Sequence, residues 1–365
     1  MKEALVADAI AGFQAAAIDA LPWATAVERL AAATGSRSGE LIGLGADCLV
    51  PFNIMTGADP VAGPEFLAAG GGDPAINSRV RVGSRSAELE IKDEADFTTA
   101  ADMRLNPEYG DWVTGHDMAH VCLTTLVKEE DHLVGMAIMR GAQAEPIDRE
   151  TKRAFAAIAP HARRAVRTSM ALEREQLAGV ITGLAAVRAT AFVCSAEGRL
   201  RGMTPSAEAM VAEARFLTVK NGRLSAAAMS CTADLQQMLA DAAIGGAGAM
   251  RPLALRSRCG EDVRLAEASI IPSSHPLSSG SSALLIIHEP SADERRVAAA
   301  AQLCFGLSLA EAEIAAHLAL GHTAIAIAAG RQVSVGTVRS QVRSIFAKMR
   351  VTSQVEIAAR LAGFR

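Results

Sequence analysis

The sequence predicts an α+β multidomain protein with two mixed α/β segments joined by a long helix and followed by an all-α C-terminal domain. Three observations predict this organisation. The 365 residues leave room for two or three domains of about 100–200 residues each. Short apolar, strand-like runs lie on both sides of a helical stretch at 149–186. The region after residue 305 contains capped helical segments and no strand-like run.

Composition favours a folded protein without a membrane span. Half of the residues are apolar and 21% are charged, which is enough apolar surface for a real core. We find no stretch of about 18 uncharged apolar residues. The first twenty residues read as an amphipathic helix and not as a signal peptide. The six cysteines are scattered without a C-x-x-C pair, so we expect reduced thiols, a cytoplasmic protein and no membrane partner.

The first α/β segment covers residues 1–150. Its clearest elements are two apolar runs, 121–127 and 132–140, separated by an acidic turn. Strand-like runs on both sides of a short polar turn predict a β-hairpin.

A connecting helix, assigned to 151–180, follows within the longer helical stretch. Its apolar residues recur at helical spacing, and we expect Pro160 and Gly179 to kink or divide it. The second α/β segment covers residues 181–290, with strands predicted at 188–194 and 283–288. Residues 291–365 form the predicted C-terminal domain, entered through a linker at 291–293.

The C-terminal domain is basic in an acidic chain. Residues 295–365 contain nine Arg or Lys and three acidic residues, whereas the whole chain has a net charge of −4. Such asymmetry is typical of a nucleic-acid-binding end on an acidic body. The alternative is a solvated helix face with a chance excess of cations.

Four capped helices are predicted in this domain. Ser308 and Glu311 form a capping box, and Gly321 ends the first helix. The predicted N-caps of the four helices are Ser308, Thr323, Ser334 and Ser353. The third helix, Val335 to Met349, places apolar residues on one side and basic and hydroxyl side chains on the other. Two short helices, a glycine-containing turn and such a third helix predict a helix-turn-helix.

Most of this domain matches one pattern. The matching strings are L-S-x-x-E-x-E-I at 307–314, G-x-T at 321–323, I-A at 327–328, V-S-V-G-T-V-R-S-Q-V-R-S-I-F-A-K-M at 333–349 and V-x-S-Q-x-E at 351–356. Residues 306–362 therefore resemble the LuxR/GerE-type helix-turn-helix. The resemblance implies binding of double-stranded DNA by the third helix and dimer contacts by the fourth. By position, the implied DNA-binding residues are Ser334, Val335, Thr337, Arg339, Ser340, Arg343 and Lys348.

Four positions depart from that pattern. Ala326 replaces a common acidic residue, Gln341 a frequent histidine and Gln354 a frequent arginine. Arg331 stands where the family usually has an apolar residue that closes the turn. Arg331 either exposes the second helix or places another cation against phosphate, and the sequence leaves both interpretations open.

The first 290 residues, the acidic body of the chain, resemble sensor domains. Asn106-Pro107-Glu108-Tyr109, the hairpin and the run 160–165 resemble the GAF-like half of a longer LuxR-type regulator group. The runs 191–200, 204–209 and 220–224 are similar to the opening of a PAS domain. The resemblance implies a GAF-like domain at 1–150 and a PAS-like domain at 181–290.

One small-molecule site is suggested in the GAF-like segment. Tyr109, Trp112 and His116 concentrate aromatic side chains in a chain that has few. Aromatic walls with a few polar groups are typical of ligand pockets, and these three residues are the ligand-binding candidates. Core packing beside the sheet is the alternative.

Metal binding and catalysis find little support in the sequence. His116, His120 and Cys122 lie close together, but Gly115 and the strand-like run 121–127 disfavour a shared helix face. Ordinary structural histidines are the favoured interpretation. We find no G-x-S-x-G, Walker A, G-x-G-x-x-G or H-E-x-x-H motif. We therefore expect neither an enzyme nor a bound cofactor or metal.

The sequence thus predicts a transcription regulator that acts as a homodimer. Its sensor domains would respond to a small-molecule effector or a partner and control the spacing of paired helix-turn-helix units. RNA polymerase would be a further partner if the protein is an activator. The alternative is a protein-interaction module, such as an antiactivator that sequesters another regulator.

Overall fold

The structure is a computed structural model that describes residues 2–45, 48–97, 106–129, 132–245, 252–272, 277, 281–288 and 294–362. The chain forms two compact units, Met1–Ile287 and His288–Arg365. Within the described ranges, we find no helix that is both long and apolar enough to cross a membrane.

The first unit begins with an antiparallel five-stranded sheet. Its strands are β1 (Ser38–Gly45), β2 (Phe52–Met55), β3 (Ile91–Asp93), β4 (His120–Lys128) and β5 (His132–Arg140). The strand order is β2-β1-β5-β4-β3. The predicted hairpin is confirmed, because β4 pairs with β5 from His120 opposite Arg140 to Lys128 opposite Leu133. The middle of its acidic turn, 130–131, lies outside the described residues.

Helices cover both faces of this sheet. They are α1 (Lys2–Ala16), α2 (Trp23–Thr34), α3 (Ala62–Ala68), α4 (Ser78–Arg85), α5 (Glu94–Phe97), α6 (Pro107–Gly115) and α7 (Arg149–Ala186). On one face, α1, α2 and α7 bury a core that includes Phe13, Trp23 and Phe155. On the other face, Tyr109 and Trp112 of α6 pack with side chains from α3, α4 and the strands. Strand residues alternate between the two cores, as a pleated strand requires.

The long helix fills the whole stretch predicted to be helical, 149–186, and so extends beyond the 151–180 assigned to the connecting helix. Helix α7 runs without a break for 38 residues, with Asp148 as its N-cap and Pro160 inside it. The expected division of the helix at Pro160 or Gly179 is therefore wrong, and a kink at either residue stays a prediction. Core packing holds the first part of α7, in which buried residues continue as far as Ser169. Packing of this kind outweighs the single hydrogen bond that a proline removes.

A second sheet repeats the strand order of the first. It contains β6 (Thr190–Cys194), β7 (Leu200–Met203), β10 (Leu253–Arg256), β11 (Val263–Ile271) and β12 (Ser282–His288) in the order β10-β11-β12-β6-β7. Counted from its own first strand, this order is the same 2-1-5-4-3 arrangement. The hairpin β8 (Leu217–Lys220) and β9 (Arg223–Ala226) and the helices α8 (Pro205–Glu213) and α9 (Thr232–Ile244) share a core with this sheet.

The second unit is helical. Its helices are α10 (Glu294–Phe305), α11 (Leu309–Ala319), α12 (Ala324–Gly330), α13 (Val335–Met349) and α14 (Gln354–Leu361). The bounds predicted for α13 are confirmed, and Ser308, Thr323, Ser334 and Ser353 each cap a helix through the side chain. The linker predicted at 291–293 lies outside the described residues. Helix α10 is a fifth helix that the sequence analysis missed, although buried Val297 and Ala301 mark its inner face at a spacing of four.

Candidate nucleic-acid interface

Helix α13 is held in one orientation by its inner face and its N-cap. Four side chains of that face are buried: Val338, Val342, Ile345 and Met349. At the start of the helix, the Ser334 hydroxyl accepts a hydrogen bond from the Thr337 N–H at 3.0 Å. Because the inner face packs in the core of the unit, the opposite face must point outward.

The outward face of α13 presents two arginines, Arg339 and Arg343, that have no partner among the described residues. Arg339, Ser340 and Arg343 are all exposed. Among the described residues, neither guanidinium takes part in a hydrogen bond or an ion pair. A free guanidinium can clamp a phosphate or pair in bidentate fashion with guanine. This face therefore has the chemistry that a DNA-reading helix needs.

A buried glutamate fixes α13 against α11. The Oε2 atom of Glu311 accepts hydrogen bonds from the Ser308 N–H at 2.7 Å and from Lys348 Nζ at 2.6 Å. Its Oε1 atom accepts from the Ser344 hydroxyl at 2.7 Å. These bonds lower the pKa of Glu311 to about 2, and the bond from Lys348 has the largest effect on it. The capping box predicted at the start of α11 is thereby confirmed and extended into an anchor for α13.

Lys348 was expected to contact DNA, and its ammonium group lies on Glu311 in the structure. About two fifths of the Lys348 side chain is still exposed. A phosphate would therefore have to share this ammonium with a nearly buried carboxylate. The DNA contact of Lys348 stays a prediction, weaker than those of Arg339 and Arg343.

The side chain of Arg331 contacts helix α11. Its Nη1 atom donates to Glu313 Oε2 at 2.5 Å and to the Ala310 carbonyl at 3.4 Å. Helix α12 nevertheless keeps Ile327 and Ala328 buried, so the cation at position 331 does not expose that helix. The other interpretation, a phosphate contact by Arg331, stays open.

Two of the three ligand candidates line internal space in the first unit. Tyr109 and Trp112 border a cavity of about 60 Å³ between the first sheet and helices α4 and α6, several times the space of one ordered water. Arg79 and Tyr109 border both this cavity and a neighbouring one of about 240 Å³. Core packing and cavity lining are thus both true of Tyr109 and Trp112, which are nearly buried.

His116 lies beside this cluster and is not among the residues that border either cavity. Its Nε2 atom is 2.8 Å from Glu65 Oε2, and its ring lies next to that of Trp112. The structure therefore assigns His116 a contact with α3. Its role in ligand binding stays a prediction.

Sequence reasoning missed the charged groups of the first cavity. Glu40 and Arg79 both line it. Burial raises the pKa of the Glu40 carboxyl, and the Asn53 amide and the charge of Arg79 offset only part of that effect. Arg79 itself donates to the Met118 carbonyl at 2.8 Å. The available clue was an acidic residue two positions before Ile42 in a strand, where alternation places both on the same face.

The residues His116, His120 and Cys122 do not form a site. His116 lies beside Trp112 on one face of the sheet, whereas Cys122 is buried in the core on the opposite face. Burial raises the pKa of the Cys122 thiol to about 12, which disfavours the thiolate that binds metals. Within the described part of the chain, these three residues are not grouped closely enough to share an ion.

Comparisons with known proteins identify the C-terminal domain. Residues 306–361 match the family described as bacterial regulatory proteins, luxR family (GerE). No curated protein matches the chain. Among solved structures, a chain in the crystal structure of the E. coli DhaR(N)–DhaL complex is 15% identical, with a TM-score of 0.23 and coverage of 77% of this chain and 87% of that one. The family match spans α11–α14 and supports a DNA-binding transcriptional regulator.

Proposed function

We propose that the protein regulates transcription by placing α13 in the major groove of DNA. The observation that carries this proposal is the outward face of α13, on which Arg339 and Arg343 are exposed and lack partners among the described residues. An α-helix fits the width of the major groove, and arginine is the commonest specific reader of guanine. The proposed contact residues are Ser334, Val335, Thr337, Arg339, Ser340, Arg343 and Lys348.

The residues of this set are expected to contribute in different ways. Arg339, Ser340 and Arg343 would reach base edges or phosphates from the centre and flank of the outward face. Thr337 lies in the first turn, where backbone N–H groups attract phosphate. The Ser334 hydroxyl is occupied as a cap, so its contribution would come from positioning the start of the helix. Lys348 would contribute through its exposed stem or by sharing its charge.

We further propose that the body is a sensor and that its two sheets are GAF-like and PAS-like domains, bounded as 1–150 and 181–290, with α7 between them. The common strand order of the two sheets supports this. The cavity beside Tyr109 and Trp112 is the proposed effector site. Its aromatic walls suit a small, mainly apolar molecule, and Glu40 with Arg79 suits a polar group on that molecule.

A homodimer is proposed to set the spacing of two α13 helices. The second part of α7 supports it, because Gly179, Val180 and Gly183 are exposed and no atom of the described residues would meet a Cβ atom at either glycine. Packing of this part of α7 against the same part of a second chain would bring two chains together along the helix. Two recognition helices must then match half-sites about one helical turn apart. RNA polymerase is a further partner if the protein activates transcription.

Selection from a random duplex library by the purified full chain tests the proposal. We expect an enriched site with two half-sites about 10 base pairs apart. The double variant R339A/R343A should lose the enrichment. The variant R174A should keep it, because Arg174 is an exposed arginine of the first unit that pairs with Glu129.

Failure of the wild-type chain to enrich or retain any duplex, even at low salt, would reject DNA regulation. Retention of another regulator instead would favour the antiactivator alternative. The effector site is tested separately, by native mass spectrometry of the purified chain. We expect a retained small molecule that is lost in E40Q, and detection of only the bare chain in both proteins would contradict the sensor proposal.

A further inference from the structure

Three potential metal ligands converge in the second unit. Glu294 lies in the first turn of α10, His317 in the last turn of α11, and His322 in the turn before α12. His317 Nδ1 is 3.0 Å from His322 Nδ1 and 3.2 Å from Glu294 Oε1. The three ligand atoms all lie within 4.8 Å of one another. Within the described residues, this is the one group of three or more His, Cys, Asp or Glu side chains with such spacing.

The two imidazoles meet through their Nδ1 edges. Their ring centroids are 5.1 Å apart while the Nδ1 atoms are only 3.0 Å apart, so the rings do not lie face to face. The His317 nitrogen thus faces a second nitrogen and a carboxylate oxygen at once. A ring nitrogen either donates one proton or accepts through one lone pair. A proton on His317 Nδ1 could be donated to both His322 Nδ1 and Glu294 Oε1 only as a shared hydrogen bond, which is weaker than an unshared one.

We propose that Glu294, His317 and His322 bind a divalent transition-metal ion, with Zn²⁺ as the reference ion. Zinc bonds to imidazole nitrogen and carboxylate oxygen are about 2.0–2.2 Å long, which places two ligands of one ion roughly 3.0–3.5 Å apart. Both short distances in the cluster fall in this range. A neutral imidazole pair and one carboxylate also form a mixed nitrogen and oxygen set that suits Zn²⁺, Ni²⁺ or Fe²⁺.

The exposure of two of the ligands leaves room for their side chains to move into the positions that a bound ion requires. The Glu294 side chain is about half exposed, so it can rotate toward the two histidines. His322 is exposed as well, which leaves an approach from solvent and room for a water ligand. Three protein ligands with an open position are a common arrangement for zinc. The ion would clamp α10 and the turn before α12 to the end of α11.

Metal binding by the full chain, after removal of metals with a chelator, tests the site without DNA. Titration with Zn²⁺ in competition with a chromophoric chelator should show one bound ion more per chain in the wild type than in H317Q or H322Q. E294Q should keep the fold and bind this ion at least about tenfold more weakly, because the amide lacks the carboxylate charge. The variant H120Q removes a histidine outside the cluster and should bind as the wild type does.

A second measurement separates ligation from folding defects. Zn²⁺ should raise the melting temperature of the C-terminal helices in the wild type and in H120Q, since binding to the folded state alone stabilises it. It should not do so in H317Q or H322Q. Equal zinc stoichiometry and equal melting shifts in the wild type and both histidine variants would overturn the proposal. Neither measurement depends on the proposed DNA binding.

Discussion

The two units each place a glutamate inside the fold, and they treat it in opposite ways. In the C-terminal unit, Glu311 receives hydrogen bonds from Ser308, Ser344 and Lys348, which lower its pKa to about 2. In the body, Glu40 borders a cavity, and burial raises its pKa. A carboxylate with all its partners holds elements together, whereas a poorly compensated one costs stability and is typical of a functional site. The C-terminal unit thus uses its buried carboxylate for structure, while the face of α13 that is proposed to bind DNA is exposed.

DNA binding gives the largest expected difference between the units. R339A and R343A should each weaken binding to the selected duplex by about 1–3 kcal/mol, or roughly 5- to 150-fold. Loss of a phosphate contact should also reduce the salt dependence of the binding constant by about one unit. Fluorescence anisotropy of a labelled duplex at several salt concentrations measures both effects. R174A, in the body, serves as the control, and unchanged affinity in both α13 variants would locate DNA binding elsewhere.

Replacement of Glu311 tests the structural carboxylate. E311Q loses the charge that binds Lys348, and we expect the C-terminal unit to become less stable by about 1–3 kcal/mol. Because the folded-state pKa is lowered, the wild type should lose this stability as the pH falls from about 4.5 toward 2. E311Q should not show that loss. Hydrogen exchange of α13 amides reports the stability of this unit selectively. The same pH dependence of that stability in the wild type and in E311Q would contradict the structural role of the Glu311 carboxylate.

Replacement of Glu40 should have a smaller effect of the opposite sign. Because the folded-state pKa is raised, the wild-type body should lose stability as the pH rises from about 4.5 toward the raised value. E40Q should remove this dependence and be at least as stable as the wild type at neutral pH. Both tryptophans, Trp23 and Trp112, lie in the body, so urea unfolding followed by tryptophan fluorescence reports this unit. Stability of the wild-type body that rises through that pH range would refute the cavity assignment.

Arg331 gives the smallest expected effect. Its ion pair with Glu313 is partly exposed, and such pairs contribute about 0–1 kcal/mol. R331A should therefore leave stability nearly unchanged. DNA affinity and its salt dependence should also stay constant, because Glu313 already holds the guanidinium. A salt dependence reduced by about one unit would instead show that Arg331 contacts a phosphate.

The sequence predicted the C-terminal domain well because its information is local. Helix caps act over three residues, as at Ser308 with Glu311 and at Ser334 with Thr337. Apolar spacing fixed which side of α13 is buried. The hairpin β4–β5 was predicted for the same reason, since two adjacent apolar strands and a polar turn define it. Helix α10 was missed because its buried face consists of Val297, Ala298 and Ala301, which contain too few large apolar side chains to mark a helical repeat.

What the sequence by itself determined, then, is the helix-turn-helix, its outward arginines and the basic character of that end of the chain. Only the tertiary structure decided that Lys348 rests on Glu311, 37 residues away. Packing likewise placed Glu40 and Arg79 on one cavity and brought Glu294 within reach of His317. Caps and periodicity arise from neighbours along the chain, while these pairings arise from which elements pack together, and no short sequence pattern records that.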